Sequence, residues 1–311
     1  MKKLIALMLA MLMVVAIAAC GSKPAAENKD EKPAETADVA EGAEETEENA
    51  EENVEETAEP ANDYQLVNPG KLTVATSPDF APYEFYAIDA DGNPHIAGFD
   101  MDLAAYIAES LGLELEVVPV DFDGVLMELQ TKSVDLGIAG LSPDPKRENI
   151  MDFSDIYYMG GQSFVTVKGS EDKFPTLADT NKADYQIGAQ TGSIQVDLAN
   201  TNSPDADIVL LPKVTDIIAE LIAGKLDGAY IETAVAESYA VNYPELAIVL
   251  EVPYDVEGSA IGVNKGNTAL LEAVNGVIAE ALESGKMDEF VAKANETATG
   301  EIYEGLLEDR D

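Results

Sequence analysis

The chain has 311 residues, 60 of them acidic and 18 basic, for a formal net charge of -42. Hydrophobic residues make up 46%, enough to bury the core of one large or two ordinary domains. The charge excludes nucleic acid as a partner, since phosphate binding needs clustered Lys and Arg, and the single cysteine excludes an intrachain disulfide and a cysteine-only zinc site.

The chain opens with the basic Met1-Lys2-Lys3, continues with an apolar run from Leu4 to Ala19, and reaches its cysteine at Cys20. A basic start, a short apolar stretch and small residues before a break predict a secretory signal over 1–19. The run is too short for a comfortable transmembrane span, which needs about 20 apolar residues. Ile17-Ala18-Ala19-Cys20 resembles the bacterial lipobox, which implies cleavage before Cys20 and lipid attachment there. The expected place is the extracytoplasmic face of the cell membrane, held through lipid on Cys20. The stretch Gly21 to Asn62 holds 15 acidic and 3 basic residues and almost no large apolar side chain. Such a segment cannot offset its ordering entropy by burial, so residues 20–62 are expected to form a lipidated, disordered acidic tether.

Folded structure is expected from about Tyr64. Lys71 to Thr76 reads as a strand, and Asp89-Ala90-Asp91-Gly92-Asn93-Pro94 as a turn. Asp100 to Leu111 has helical spacing and stops at Gly112. Glu114 to Val120 is a strand, Phe122 to Gln130 a helix and Val134 to Ala139 a third strand. This βαβαβ order implies a parallel sheet covered by helices. A second unit follows, with strands at Ser163 to Lys168, Tyr185 to Ala189, Asp207 to Leu211, Leu226 to Ile231 and Ala247 to Leu250. Its helices fit Ser193 to Ala199, Val214 to Ala223 and Glu232 to Asn242. Ser259 to Val263 is a late strand, and the chain from Thr268 reads as helical to its end. The fold class is α/β, with two sheets whose lobes are joined by more than one crossing.

Several segments occur in an order that resembles one family. They include Leu72-Thr73-Val74-Ala75-Thr76-Ser77-Pro78-Asp79-Phe80-Ala81-Pro82-Tyr83-Glu84-Phe85, Gly98-Phe99-Asp100-Met101-Asp102-Leu103 and Asp121-Phe122-Asp123-Gly124. Val134-Asp135-Leu136, Gly140-Leu141-Ser142, Lys146-Arg147 and Asp152-Phe153-Ser154-Asp155 follow, then Gly192-Ser193-Ile194-Gln195 and Gly224-Lys225-Leu226-Asp227-Gly228-Ala229. The chain is identified on these as similar to the family 3 solute-binding proteins of polar amino-acid ABC importers. The resemblance implies the two-lobed type II periplasmic-binding fold. Lobe 1 would be 63–158 with 260–311 and lobe 2 would be 159–259. Two hinge crossings are expected near Gly160–Ser163 and Asp255–Gly258. It further implies a monomeric binder that captures a free L-amino acid, polar or basic, and presents it to an ABC permease. No catalysis, cofactor or metal is expected. Two alternatives stay open on the same fold, a cyclohexadienyl-dehydratase-like enzyme and a ligand-sensing partner of a membrane receptor.

A capture site must satisfy both charges of a zwitterion without water, or burial costs several kcal/mol per ion. Read alone, Arg147 is an exposed surface arginine. The resemblance makes it the ligand for the α-carboxylate, which a guanidinium fork suits. Gly140 and Ser142 would offer a backbone carbonyl and a hydroxyl from one loop, or serve only as turn residues. Gly192, Ser193 and Ile194 form a glycine turn at a helix start, where free N–H groups favour an anion; Ser193 alone would be a plain helix cap. Glu232 stands where the family pairs an acid with the ligand ammonium. Phe80 and Phe122 occupy the family's aromatic positions around the ligand side chain. Ser77 stands where several basic- and glutamine-binding members carry Asp, and that departure weakens a basic ligand. Glu84 has no assigned direction, and His95 is expected to be exposed in the turn before Gly98.

Overall fold

The structure is a computed structural model and describes residues 63–256 and 258–299. The signal, Cys20 and the acidic tether expected above lie outside the described residues. No helix among those described is long and apolar enough to cross a membrane.

In chain order, β1 (Lys71–Thr76) leads into a small three-stranded sheet of β2 (Asp79–Phe80), β3 (Glu84–Ile88) and β4 (Pro94–Ala97). Then come α1 (Phe99–Ser110), β5 (Glu114–Pro119), α2 (Phe122–Thr131), β6 (Leu136–Gly137) and β7 (Met151–Tyr158). The second lobe holds β8 (Gln162–Val167), β9 (Gln186–Gln190), α3 (Ile194–Asn202), β10 (Asp207–Leu211), α4 (Val214–Ile222), β11 (Gly228–Glu232), α5 (Thr233–Asn242) and β12 (Leu246–Glu251). The chain then returns as β13 (Ser259–Asn264), α6 (Thr268–Glu283) and α7 (Lys286–Ala298).

The two large sheets share one design: the first runs β5-β1-β6-β13-β7 and the second β10-β9-β11-β8-β12. In each, four strands run the same way, and the strand delivered from the other lobe runs against its neighbours. β13 is antiparallel to β6 and β7, and β8 to β11 and β12. The crossings at 159–161 and 252–258 are therefore tied at both ends into sheets. The Tyr254 hydroxyl links them by donating to the Gly160 carbonyl at 3.0 Å.

Parallel strands covered on both faces need continuous apolar side chains, and β1 accordingly buries Leu72, Val74 and Ala75 completely. On α6, Leu270, Val274 and Ile278 recur every four residues and form its buried stripe. On α4 the same role falls to Val214, Ile217, Ile218 and Leu221. Gly98 precedes α1 at φ 125°, where an added Cβ would lie 2.0 Å from the Tyr83 carbonyl oxygen, so only glycine fits.

Three local expectations change. The long final helix breaks at Gly285, which adopts a left-handed φ of 76° and separates α6 from α7. The strand expected over Val134 to Ala139 shrinks to Leu136–Gly137, where its register with Val74 and Ala75 holds. β7 and the small sheet were not anticipated, because β7 alternates poorly between buried and exposed positions. His95 is exposed as expected but lies on β4, not in a turn.

Candidate functional site

Arg147 ends a short 3-10 turn, Pro145–Arg147, whose start is fixed by the Asp144 carboxylate accepting the Lys146 N–H at 2.9 Å. The turn points the guanidinium inward, so the residue is only 7% exposed and the surface reading of Arg147 is corrected. Nη1 donates to the Ser142 carbonyl at 3.2 Å and Nη2 to the Gly192 carbonyl at 2.9 Å. The guanidinium carbon lies 5.7 Å from the centre of the Phe122 ring. No carboxylate among the described residues is within ion-pair distance of it. Burial lowers its pKa, as it must for a cation taken from water without a counter-ion.

Glu232 closes β11 and caps α5, its Oε2 accepting the Val235 N–H at 2.8 Å. Its Oε1 accepts the Tyr83 hydroxyl and the Gly161 N–H, each at 3.2 Å. The residue is 5% exposed, and no described cation lies within ion-pair distance. Burial pushes its pKa up to about 7, against the hydrogen bonds that hold it down.

Arg147 and Glu232 line one narrow cavity between the lobes, of about 20 Å³. Phe80, Phe122, Gly140 and Ser142 line it from the first lobe, Ser193 and Ile194 from the second. Gly140 adopts φ 55° against the Phe80 ring, where an added Cβ would lie 2.9 Å from Cε1. Gly192, at φ 79°, is not part of the wall; its carbonyl holds Arg147 instead. The Ser193 hydroxyl does not cap α3. It donates backwards to the Gln190 carbonyl at 2.7 Å, so the side chain leaves the helix N–H groups uncovered.

The lobes are in contact across this cavity. Besides Arg147 to Gly192 and Tyr83 to Glu232, the Gln190 amide and the Val214 N–H of the second lobe donate to Asp79 Oδ2 of the first. Lys146 Nζ lies 2.6 Å from Asp197, and Lys213 Nζ 3.7 Å from Asp121.

The wall also contains residues not anticipated from the sequence, chiefly Tyr83, Gln162, Gln190, Gln195 and Tyr254. Gln195 alone had a local signal, lying just past the glycine turn. Glu84 is not in the wall. It is fully buried with neither carboxyl oxygen hydrogen-bonded among the described residues, and burial pushes its pKa well above the carboxylate range, with the charges of Asp100 and Asp79 adding to the effect. Ser77 is buried and donates to Asp79 Oδ1 at 2.7 Å.

The profile of the bacterial extracellular solute-binding proteins, family 3, matches residues 72–296. The arginine-binding extracellular protein ArtP of Bacillus subtilis is 31% identical over 227 residues, covering 72% of this chain and 85% of that one. The cyclohexadienyl dehydratase of Pseudomonas aeruginosa is 28% identical over 192 residues, 61% of this chain and 70% of its own length. Among solved structures, the amino-acid ABC transporter substrate-binding protein AbpA of Streptococcus pneumoniae, bound to L-arginine, superposes with a TM-score of 0.71. It is 35% identical and covers 75% of this chain and 97% of its own. The two lobes are those of the type II periplasmic-binding fold, and the chain belongs to family 3 of the bacterial extracellular solute-binding proteins.

Proposed function

We propose that this chain is the capture component of an amino-acid ABC importer, holding a free L-amino acid between its lobes. The observation that carries the reading is a pair of opposite charges, Arg147 and Glu232. Both line one cavity, both are nearly fully buried, and neither has an ionic partner among the described residues. A buried charge without a counter-ion costs several kcal/mol. A zwitterion supplies both missing partners at once, its carboxylate to the Arg147 fork and its ammonium to Glu232. Phe80 and Phe122 would contact its side chain, with Gly140, Ser142, Ser193 and Ile194 completing the α-group contacts. Relatives named for arginine binding support this assignment.

Arg147 belongs to the first lobe and Glu232 to the second, so ligand satisfies both only when the lobes are closed. Binding thereby shifts the population toward the closed form, which the permease would recognise. The protein would act as a monomer on the outer face of the membrane, held by lipid on Cys20; Cys20→Ala should release it into the medium.

Calorimetry on Arg147→Ala tests the reading. The variant should keep its fold and lose roughly 2–5 kcal/mol of amino-acid affinity, the usual cost of unpairing a buried charge. Unchanged affinity would remove Arg147 from the site.

A second reading follows from Glu232. A cleft acid with a pKa near 7 that shares its cavity with a buried arginine also suits proton transfer, and one relative is a dehydratase. Mass spectrometry of prephenate after incubation separates the two: conversion establishes an enzyme, and unaltered prephenate leaves the binder.

A further inference from the structure

We infer that the cleft is built for an amino acid whose side chain is uncharged and carries both a hydrogen-bond donor and an acceptor, a carboxamide or ureido group. The inference rests on the capture role proposed above. It is carried by the charge of the wall and by the pairing of Gln162 with Gln195.

Only two of the described residues lining the cavity are charged, Arg147 and Glu232. Their charges cancel, as do the α-carboxylate and α-ammonium they would hold. A third charge on the ligand would have no counter-ion in the wall, and its desolvation would go uncompensated.

Of the acids outside the wall, Asp79 and Asp100 are engaged, Asp100 through Oδ2 alone, whereas Glu84 is buried with neither oxygen hydrogen-bonded among the described residues and is held toward its neutral form by burial. Asp79 Oδ1 accepts the Ser77 hydroxyl, and its Oδ2 accepts the Val214 N–H at 2.5 Å and the Gln190 amide at 3.3 Å. Gln190, a wall residue, thus takes up the carboxylate that a cationic side chain would need. Asp100 Oδ2 accepts the Gly140 N–H at 2.9 Å and the Tyr157 hydroxyl at 3.0 Å. Asp121 stands opposite Lys213 outside this cavity.

The remaining polar wall is made of hydroxyls, at Tyr83, Ser142, Ser193, Tyr254 and Ser259, and of the amides of Gln162, Gln190 and Gln195. Gln195 Nε2 donates to Gln162 Oε1 at 2.8 Å, and both residues are buried. That bond leaves the pair one amide NH₂ and one amide carbonyl. Turning both amides over exchanges which glutamine offers which group but keeps one donor and one acceptor. A carboxamide or ureido group answers both. An ammonium or guanidinium only donates, and a carboxylate only accepts, so either leaves one amide group unsatisfied as well as its own charge unpaired.

Two isosteric pairs separate charge from size: citrulline against arginine, and glutamine against glutamate. Calorimetry with the purified protein should show one or both neutral members binding at least about thirtyfold tighter than the charged isostere, the low end for an unpaired buried charge. Gln162→Glu should then narrow or invert the citrulline–arginine gap by adding the missing counter-ion. Arginine binding as tightly as citrulline, or glutamate as tightly as glutamine, overturns the inference while leaving the capture role standing. So does binding confined to amino acids with neither group. If none of the twenty amino acids nor citrulline binds, the capture role falls and the inference with it.

Discussion

The Asp79 carboxylate of the first lobe sits at the start of α4 in the second, where Oδ2 accepts the Val214 N–H at 2.5 Å. The same residue accepts the Gln190 amide on that oxygen and the Tyr239 hydroxyl, at 2.8 Å, on its backbone carbonyl. Three bonds therefore cross the cleft at one residue that does not line the ligand cavity. A negative group at a helix N-terminus gains from the helix dipole as well as from the N–H itself.

Asp79→Ala should therefore favour the open form. A hydrogen bond to a charged group contributes about 1.5–3 kcal/mol, offset in part by the cost of burying a carboxylate that desolvation pushes up to about 6. The expected result is a roughly tenfold loss of ligand affinity and a larger radius of gyration in solution scattering without ligand. Lys146→Ala provides the contrast. Its pair with Asp197 is exposed, and such pairs contribute about 0–1 kcal/mol, so affinity should fall by less than about fivefold. Equal losses in the two variants would refute a special role for Asp79.

The buried acids also set a pH dependence. Desolvation pushes Glu232 up to about 7 and Asp79 and Asp100 up to about 6, whereas in the unfolded chain they titrate near 4. Between about pH 4 and 7 the folded protein thus binds more protons than the unfolded chain. Stability must then rise as pH falls through that window, the reverse of a salt-bridged acid, and the destabilisation is fully present only above about 7. Relief of repulsion in a chain of net charge -42 acts in the same direction. Thermal unfolding of the ligand-free protein should show a higher Tm at pH 5 than at pH 7.5. Glu232→Gln should flatten the profile between about 4.5 and 7; a slope identical to wild type would show that surface charge alone produces it.

Both large sheets were legible because covered parallel strands leave nearly continuous apolar runs, as in Leu72 to Ala75 with only Thr73 interrupting, and amphipathic helices leave stripes, as on α4. Arg147 and Glu232 were legible from motif position, and Glu232 also from its place at a strand end. Tyr83, Gln162 and Gln190 were not, since nothing local marks a buried glutamine or tyrosine as facing a cavity. They meet only when the crossings at 159–161 and 252–258 bring the lobes together. Ser193 shows the same limit at atomic scale. A serine before a helix reads as a cap, but its hydroxyl was claimed by the Gln190 carbonyl three residues back.

Gly160, in the first crossing, bears directly on the acid that would hold the ligand ammonium. An added Cβ there would lie 2.5 Å from Glu232 Oε1 and 2.8 Å from the Tyr83 hydroxyl. Both obstacles are side-chain ends, so the backbone can accept alanine while the carboxylate swings away. Glu232 would then lose its Oε1 bonds to Tyr83 and Gly161 but keep the Val235 N–H on Oε2. Gly160→Ala should accordingly lower amino-acid affinity by about 10–100-fold, and lower Tm by roughly a few degrees because the Tyr83 hydroxyl and the Gly161 N–H lose their acceptor. Shortening the acid makes room again, so adding Glu232→Asp to Gly160→Ala should recover part of the affinity, measured by calorimetry on both variants. Wild-type affinity in Gly160→Ala alone would mean that the position of Oε1 does not matter to the ligand.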